Sequence, residues 1–503
     1  FDIEYVSSPE ISPQGDKVLF QRNFKDVMTD KNLSNLWIVN FDGSDMRPIT
    51  TGNFNSFSPK WSNSGKMFTY KSNAEGRTQL YLYNLENNSV QKLTNMQSSI
   101  GSVEWSADDR YLLFNSFVEK TGDRLIQMPK KPEGASWNSP PIEIDDMVYR
   151  YDGGGYRRPG SNQIFVLPVE GGTPRQVSDL DKSPSSAVWL DNENVLFSAN
   201  LSENSDFEPS NYDIYKLNIM TGELDKITDR FGPDSSPVVS PDGSKIAYLG
   251  YDDKFLGYQQ NSLYVMNSDG SGIKLVSKGF DRNISNINWM SDGKGLYFQY
   301  DSEGMTSIAS ISLNGKVKDI VDELGGLSLG RPYSGGTYTI SSSGRYAFTY
   351  GNVYNPADLA AGYSGSKSRL TNLNKDLFDY KELGKVEEVW YKSSFDGKMI
   401  QGWLVYPPFF DRSKKYPLAL EIHGGPFTNY GFRFSAEVQL FASKGYFVLY
   451  TNPRGSTSYG KDFANLIHHN YPSQDYDDLM SGVDHVLQRD YIDDDNLFVT
   501  GGS

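Results

Sequence analysis

Internal repetition constrains this chain more than any other feature. One unit recurs from residue 1 to about residue 374: an apolar pair, a tight turn of the Ser-Pro-Asp-Gly type, an alternating strand, a second strand ending near Asn, and a short strand closing on Leu-Thr. Residues 237–276 show it clearly. Pro237-Val238-Val239 leads into Ser240-Pro241-Asp242-Gly243, where proline presets φ and glycine supplies a left-handed position. Lys245 to Leu249 then alternates, Leu263 to Met266 follows, Asp269-Gly270 turns, and Lys274-Leu275-Val276 closes. The turn restarts at Ser12, Ser62, Ser106, Leu190, Ser240, Ser291 and Ser341, at intervals by subtraction of 50, 44, 84, 50, 51 and 50 residues. The closing dipeptides Ile49-Thr50, Leu93-Thr94, Val177-Ser178, Ile227-Thr228, Leu275-Val276, Ile320-Val321 and Leu370-Thr371 repeat the count of seven independently.

Four short strands every 40–50 residues or so cannot bury their own faces, so neighbouring sheets must cover one another. The pattern predicts a seven-bladed β-propeller over residues 1–374. A tandem of small β-sandwiches would need about 100 residues per unit, roughly twice the observed period. The long interval holds an extra segment of about 35 residues, from Val118 to roughly Gly160, of the size that serves function or assembly. It carries Ile144 to Tyr156, with Asp145, Asp146 and Arg150 among them.

Composition narrows the function classes. Aromatic residues make up 14% of the chain, with 33 Tyr and 28 Phe, which suits strand-rich structure and excludes disorder. The formal charge of −15 disfavours nucleic acid and anionic membrane surfaces as partners. The absence of cysteine excludes disulfides and thiolate chemistry. The most apolar stretches, such as Tyr446 to Tyr450, are far shorter than the roughly 20 residues of a membrane helix, so no membrane span is expected. A start at Phe1 rather than Met fits a removed signal peptide or a trimmed chain. An exported, periplasmic location is the expectation and the cytoplasm the alternative.

Beyond Leu373 the rhythm changes. Lys375 to Lys385 reads as a linker, and Val386 to Tyr406 as a two-stranded hairpin around Phe395-Asp396-Gly397. Strands at Leu418 to Ile422, Tyr446 to Tyr450 and Leu497 to Thr500 then alternate with helical patterns at Ser435 to Lys444 and Tyr476 to Arg489, the grammar of an α/β sheet. Three motifs fall at the carboxyl ends of these strands, where open α/β sheets keep reactive groups. His423-Gly424-Gly425-Pro426 lets main-chain N–H groups approach a reacting oxygen without Cβ atoms in the way. Asn452-Pro453-Arg454-Gly455-Ser456 is a glycine-rich turn with an embedded arginine. Val499-Thr500-Gly501-Gly502-Ser503 runs an apolar strand into Gly-x-Ser, the first half of a nucleophile elbow.

With these motifs in this order behind a seven-fold repeat, the chain resembles the prolyl oligopeptidase family of serine peptidases. Within it, the chain is most similar to the acylaminoacyl-peptidase and bacterial dipeptidyl-peptidase branch. The features that carry the resemblance also include Ile400-Gln401-Gly402-Trp403 and the Asp475 to Met480 helix start. It departs where relatives often carry Trp-Gly-Gly before the acidic helix start, since Tyr471-Pro472-Ser473 stands there. The resemblance implies a propeller capping an α/β-hydrolase domain of which residues 375–503 are the N-terminal part. Ser503 is then the nucleophile and the Gly425 N–H one oxyanion donor. The triad order implied is Ser, Asp, His, so the acid and base are expected downstream and the chain is expected to be part of a longer protein.

The four histidines fit that expectation. His423 reads as fixing the glycine turn, His468 and His469 as surface residues, and His485 as a partly buried structural residue. Arg454 is expected to pair with Asp475 or Asp478. The Asp493-Asp494-Asp495 run reads as a solvated turn, and neither metal nor cofactor is required. In an enzyme releasing dipeptides, Asp145 or Asp146 could pair with the substrate ammonium while Arg150 holds a carbonyl or carboxylate; packing of the insertion against the hydrolase part or a neighbouring subunit is the alternative. The expected function is hydrolysis of short peptides through an acyl-enzyme. An esterase or acyl hydrolase on the same scaffold, or a non-catalytic propeller that binds a partner, are the rivals. A homo-oligomer is compatible with the sequence.

Overall fold

The computed structural model describes residues 1–120, 129–139, 141–144, 146–326 and 329–503. Seven four-stranded antiparallel sheets succeed one another between Tyr5 and Arg369, giving the seven-bladed propeller that the repeat implies. The hydrogen bonds explain the repeated residues. Ser12 Oγ accepts from the N–H groups of Asp16 and Lys17, both at 3.1 Å, and Ser240 Oγ accepts from Lys245 N–H at 2.9 Å, so the turn serine ties the hairpin shut. The closing hydroxyls do the same for the outer strands. Those of Thr50, Thr94, Ser178, Thr228 and Thr371 accept at 2.8–2.9 Å from the third-strand amides of Leu36, Leu80, Ile164, Ile214 and Leu359. In the fifth blade the Leu263 N–H donates instead to the Ser277 hydroxyl, one residue beyond the Leu275-Val276 read from sequence.

Burial alternates along the strands and sends neighbours to opposite interfaces. In the fourth blade Val195 and Phe197 pack against the third blade, whereas Leu196 between them packs against the fifth. One apolar cluster fills each of the seven blade interfaces. The last joins Val6, Val18 and Phe20 to Ala347, Leu359 and Ala361, so the ring closes by packing and not by a shared strand. Ile11 N–H donates to Thr339 Oγ1 across this seam at 2.9 Å, and Asn374 exchanges two 2.8 Å hydrogen bonds with the backbone of Glu4.

A second device locks the first strands, of which those of the first, second, sixth and seventh blades line an open cavity of about 420 Å³ with residues such as Ser8, Ser58 and Asn286. The indole N–H of Trp61, Trp105, Trp189 and Trp289 donates to the carbonyl of Glu10, Lys60, Glu104 and Val238 in the preceding blade. In the fifth blade Val239 holds the corresponding position.

The insertion lies between the second and third strands of the third blade, Tyr111–Glu119 and Gly160–Pro168, which pair to their ends at Glu119 and Gly160. It contains a small hairpin, Arg150–Tyr151 with Gly155–Tyr156. The equivalent hairpins of the fifth, sixth and seventh blades carry Tyr258, Gly304 and Tyr354, which bond to the α/β part. The insertion therefore springs from that same face of the ring.

The α/β part is a five-stranded sheet in which Tyr416–Ile422 pairs in parallel with Phe447–Asn452 and Ile492–Gly501, and the hairpin Val386–Lys392 and Met399–Val405 extends it antiparallel. Helix Asp475–Leu487 covers one face through Val483 and Val486, and helix Ala436–Ser443 the other through Val438 and Ala442. Strand Ile492–Gly501 is at the sheet edge, with Leu497, Phe498 and Val499 exposed. Asp493 to Asp495 belong to this strand and not to a separate turn. They form an outward irregularity, because Tyr416 pairs with Ile492 and Leu418 next with Leu497. Lys375 to Lys385 is docked rather than free: it holds the short helix Lys375–Phe378, and Phe378 packs on Phe434 at 5.7 Å.

The tryptophan locks generate a stability prediction. Trp105→Phe keeps most of the apolar packing but leaves the Lys60 carbonyl only the long 3.5 Å bond from Thr69 Oγ1, and should destabilise the fold by roughly 1 kcal/mol in urea unfolding. An unchanged transition midpoint would show that packing alone sets the blade interface.

Candidate active site

The glycine loop and the Gly-x-Ser turn meet at the carboxyl edge of the sheet, because Tyr416–Ile422 and Ile492–Gly501 are adjacent parallel strands. Their contact leaves no room for a side chain. A Cβ on Gly424 would lie 2.4 Å from the Gly502 carbonyl oxygen and 2.6 Å from Ser503 Cβ. Ser503 has φ +76°, a left-handed conformation costly for a residue with a side chain and typical of a strained strand-to-helix elbow. Gly425 has φ +135°, and a Cβ there would stand 2.9 Å from both Phe427 N and Thr428 Cγ2.

Beneath the loop, His423 is buried with its ring fixed at both nitrogens. Nδ1 is 2.8 Å from the Gly424 carbonyl, which can only accept, so this nitrogen carries the proton. Nε2 is then the acceptor for Ser456 Oγ–H at 2.9 Å. Burial pushes the His423 pKa below its ordinary value, keeping the imidazole neutral. His485 stacks on Tyr391 at 5.9 Å, and His469 is exposed. His468 is more than a surface residue, because its Nδ1 accepts from Gly257 N–H of the propeller at 2.9 Å. Among the described residues, none of the four is hydrogen-bonded to Ser503.

Arg454 holds the neighbouring turn. Its Nε and Nη2 donate to Asp478 at 2.9 and 2.7 Å, Asp478 also accepts from Arg454 N–H at 2.8 Å, and Asp396 takes a further bond at 3.1 Å. Asp478 is fully buried, so this bidentate pair fixes the start of helix Asp475–Leu487 to the Asn452 turn. Asp475 instead accepts from Ser473 N–H.

One group was not visible in the sequence. The connection between the sixth and seventh blades brings Arg331 and Tyr333 to the site: Arg331 Nε lies 3.1 Å from Glu421 Oε1 and 3.3 Å from Glu437 Oε2. Glu421 is fully buried, and burial raises its pKa; Tyr430 donates to its Oε1 at 2.9 Å. An acid inside the apolar run Leu418 to Ile422 was the available signal, but its partner is 90 residues away by subtraction.

The insertion residues found in the sequence have their contacts, where described, within the insertion. Asp146 pairs with Arg157 of the insertion itself at 3.6 Å and is 53% exposed. Arg150 is exposed at the start of the small hairpin, and Asp145 lies outside the described residues. Asp493, Asp494 and Asp495 bring carboxylates within 4.8 Å of one another on the far, largely exposed side of the strand, where Lys415 approaches Asp494 at 3.8 Å.

Two outcomes follow from this geometry. On the expectation that Ser503 is the nucleophile, Gly424→Ala should lower its rate of reaction with a fluorophosphonate by at least about tenfold, since displacements near 1 Å at a reacting centre have effects of that order; an undiminished rate would show that the loop does not approach the serine. The second concerns pH. Unfolded His423 takes up a proton near the ordinary value of about 6.5 while the native side chain does not, so stability falls as pH drops through about 6.5 towards the depressed native pKa. His423→Gln should flatten that part of the profile in urea unfolding at pH 7 and pH 5.

Comparison with known proteins agrees with the architecture. Residues 432–503 match the prolyl oligopeptidase family, and residues 3–135 match the TolB beta propeller domain. The uncharacterized peptidase YuxL of Bacillus subtilis is 28% identical over 516 residues, covering 99% of this chain and 77% of that protein. Dipeptidyl-peptidase 5 of Porphyromonas gingivalis is 26% identical over 538 residues, covering 99% and 73% respectively. The fold of the Pyrococcus horikoshii acylaminoacyl peptidase superposes with a TM-score of 0.78 at 22% identity, covering 99% of this chain and 73% of that one. A seven-bladed ring is followed by an α/β region whose residues 432–503 match the prolyl oligopeptidase family, and similarity to peptidases extends along the whole chain.

Proposed function

We propose that this chain carries the propeller and the nucleophile of a serine peptidase that cleaves short peptides through an acyl-enzyme. On this reading it divides into a propeller over 1–374, with the insertion at about 118–160, and the N-terminal part of an α/β-hydrolase domain over 375–503. The observation that carries the reading is the contact of a left-handed Ser503 with the Gly424-Gly425 loop. Ser503 Oγ attacks the scissile carbonyl, and the Gly425 N–H, which has no protein acceptor among the described residues, donates to the oxygen that becomes negative. The neutral, doubly bonded His423 holds the loop and does not serve as base; the reading leaves the base and its orienting acid unassigned among these residues.

The relatives named as a peptidase and as dipeptidyl-peptidase 5 favour peptide over simple ester substrates. The insertion springs from the face of the ring that meets the α/β part, which favours its acids, Asp145 and Asp146, and Arg150 as contacts for the peptide amino end and a carbonyl. No helix among the described residues is long and apolar enough to cross a membrane.

The full-length protein, assayed with acetyl-aminoacyl and dipeptidyl anilides and with simple esters, should cleave the anilides and lose that activity with Ser503→Ala. Turnover of esters alone would favour an acyl hydrolase, and no fluorophosphonate labelling would favour a binding protein. Changing Asp145 and Asp146 together to Asn should raise KM for free-amine dipeptidyl substrates by about tenfold, the loss of one charge-assisted contact; an unchanged KM removes both from the site.

A further inference from the structure

Residues 329–334, between the sixth and seventh blades, cross onto the α/β part as a strap. Its backbone is pinned at several points. The carbonyls of Leu329 and Gly330 accept from the first amides of helix Ala436–Ser443, Ala436 at 2.8 Å and Glu437 at 3.3 Å. The Pro332 carbonyl accepts from Gly431 N–H at 2.8 Å, and Ser334 N–H donates to the Asn429 carbonyl at 3.2 Å. Two side chains of the strap then reach the reacting centre. A Cβ on Gly502 would stand 2.2 Å from Arg331 Nη1, so the guanidinium lies directly against the elbow. Tyr333 Oη accepts from Gly424 N–H at 3.4 Å, and its ring packs on Tyr430 at 4.9 Å.

We propose that this strap positions the nucleophile: Arg331 and Tyr333, supplied by the propeller, set the spacing between the Ser503 elbow and the glycine loop, and so the intrinsic reactivity of Ser503. The inference rests on Ser503 being the nucleophile. Charge argues for placement over direct oxyanion binding. Arg331 Nε faces two carboxylates, Glu421 and Glu437, so the local balance of the three groups is negative and the guanidinium is already matched. Its terminal nitrogens fill the space where a Cβ of residue 502 would stand, so only a residue without Cβ fits. Tyr333 meanwhile occupies the Gly424 amide, leaving the Gly425 amide without a protein acceptor among the described residues. The propeller thus shapes the reactive centre as well as covering it.

The test measures the second-order rate of Ser503 labelling by a small fluorophosphonate, which needs no peptide pocket, in the full-length protein, with kcat, KM and melting temperature alongside. Arg331→Met should slow labelling by about tenfold and Tyr333→Phe by a smaller factor, with the loss of peptide turnover falling on kcat rather than KM. Arg331→Lys keeps a charge for Glu421 but cannot also lie along Gly502. It should recover the melting temperature and not the labelling rate. Labelling at the parent rate in both Arg331→Met and Tyr333→Phe overturns the inference. So does a loss confined to KM, or recovery of rate together with melting temperature in Arg331→Lys. A parent protein that does not label at all overturns the assignment of Ser503 itself, and the inference with it.

Discussion

Every blade of this propeller is a sheet with two apolar faces, and neither face can be covered from within the blade. Adjacent side chains of each second strand point to opposite neighbours, as Leu196 does against Val195 and Phe197. A blade is therefore stable only between two others, and the series must close on itself. Closure here uses the same apolar packing as every other interface, reinforced by the Asn374 bonds to Glu4 that tie the end of the last blade to the start of the first. The indole locks add direction to a force that has none. Four tryptophans pack and also donate to the preceding blade, fixing how far each first strand sits from its neighbour.

The ring in turn holds the α/β part. Loops of the fifth and sixth blades bond to Asn465 and Ser458 of the α/β part and the loop of the seventh to Val386, and the 329–334 strap caps helix Ala436–Ser443. The most telling residue is Glu421. Burying a carboxylate beneath the glycine loop is unfavourable unless it is paired and hydrogen-bonded. Its compensation comes from Arg331 of the propeller and Tyr430 of its own part. The sheet therefore carries an acid whose burial makes sense only with the ring in place, and the geometry at Gly502 and Gly424 inherits that dependence.

Much of this was legible in the sequence because it is local. The Ser-Pro-Asp-Gly turns and the closing Leu-Thr pairs repeat with the blade, and each proves to serve a hydrogen bond a few residues away or on the neighbouring strand. The elbow and the glycine loop were legible because strand ends and glycine spacing place them on one edge. The Arg454–Asp478 pair could be narrowed to two acids by helix position. What escaped was long-range or irregular: the Asp493 to Asp495 bulge inside a strand, the bond of His468 to Gly257, and the docking of the Lys375 to Lys385 segment.

Sequence by itself determined the number of blades, the class of the second architecture and the candidate nucleophile, since periodicity, turn chemistry and strand-to-loop order are properties of short stretches of chain. Only the tertiary structure decided which side chains from the ring enter the site. Arg331 and Tyr333 stand in a connection without a motif, and their meaning arises from Glu421, Gly424 and Gly502, brought beside them by the packing of the propeller on the sheet. Contacts between segments far apart in the chain depend on where two folded surfaces meet, and no local pattern of residues encodes that distance.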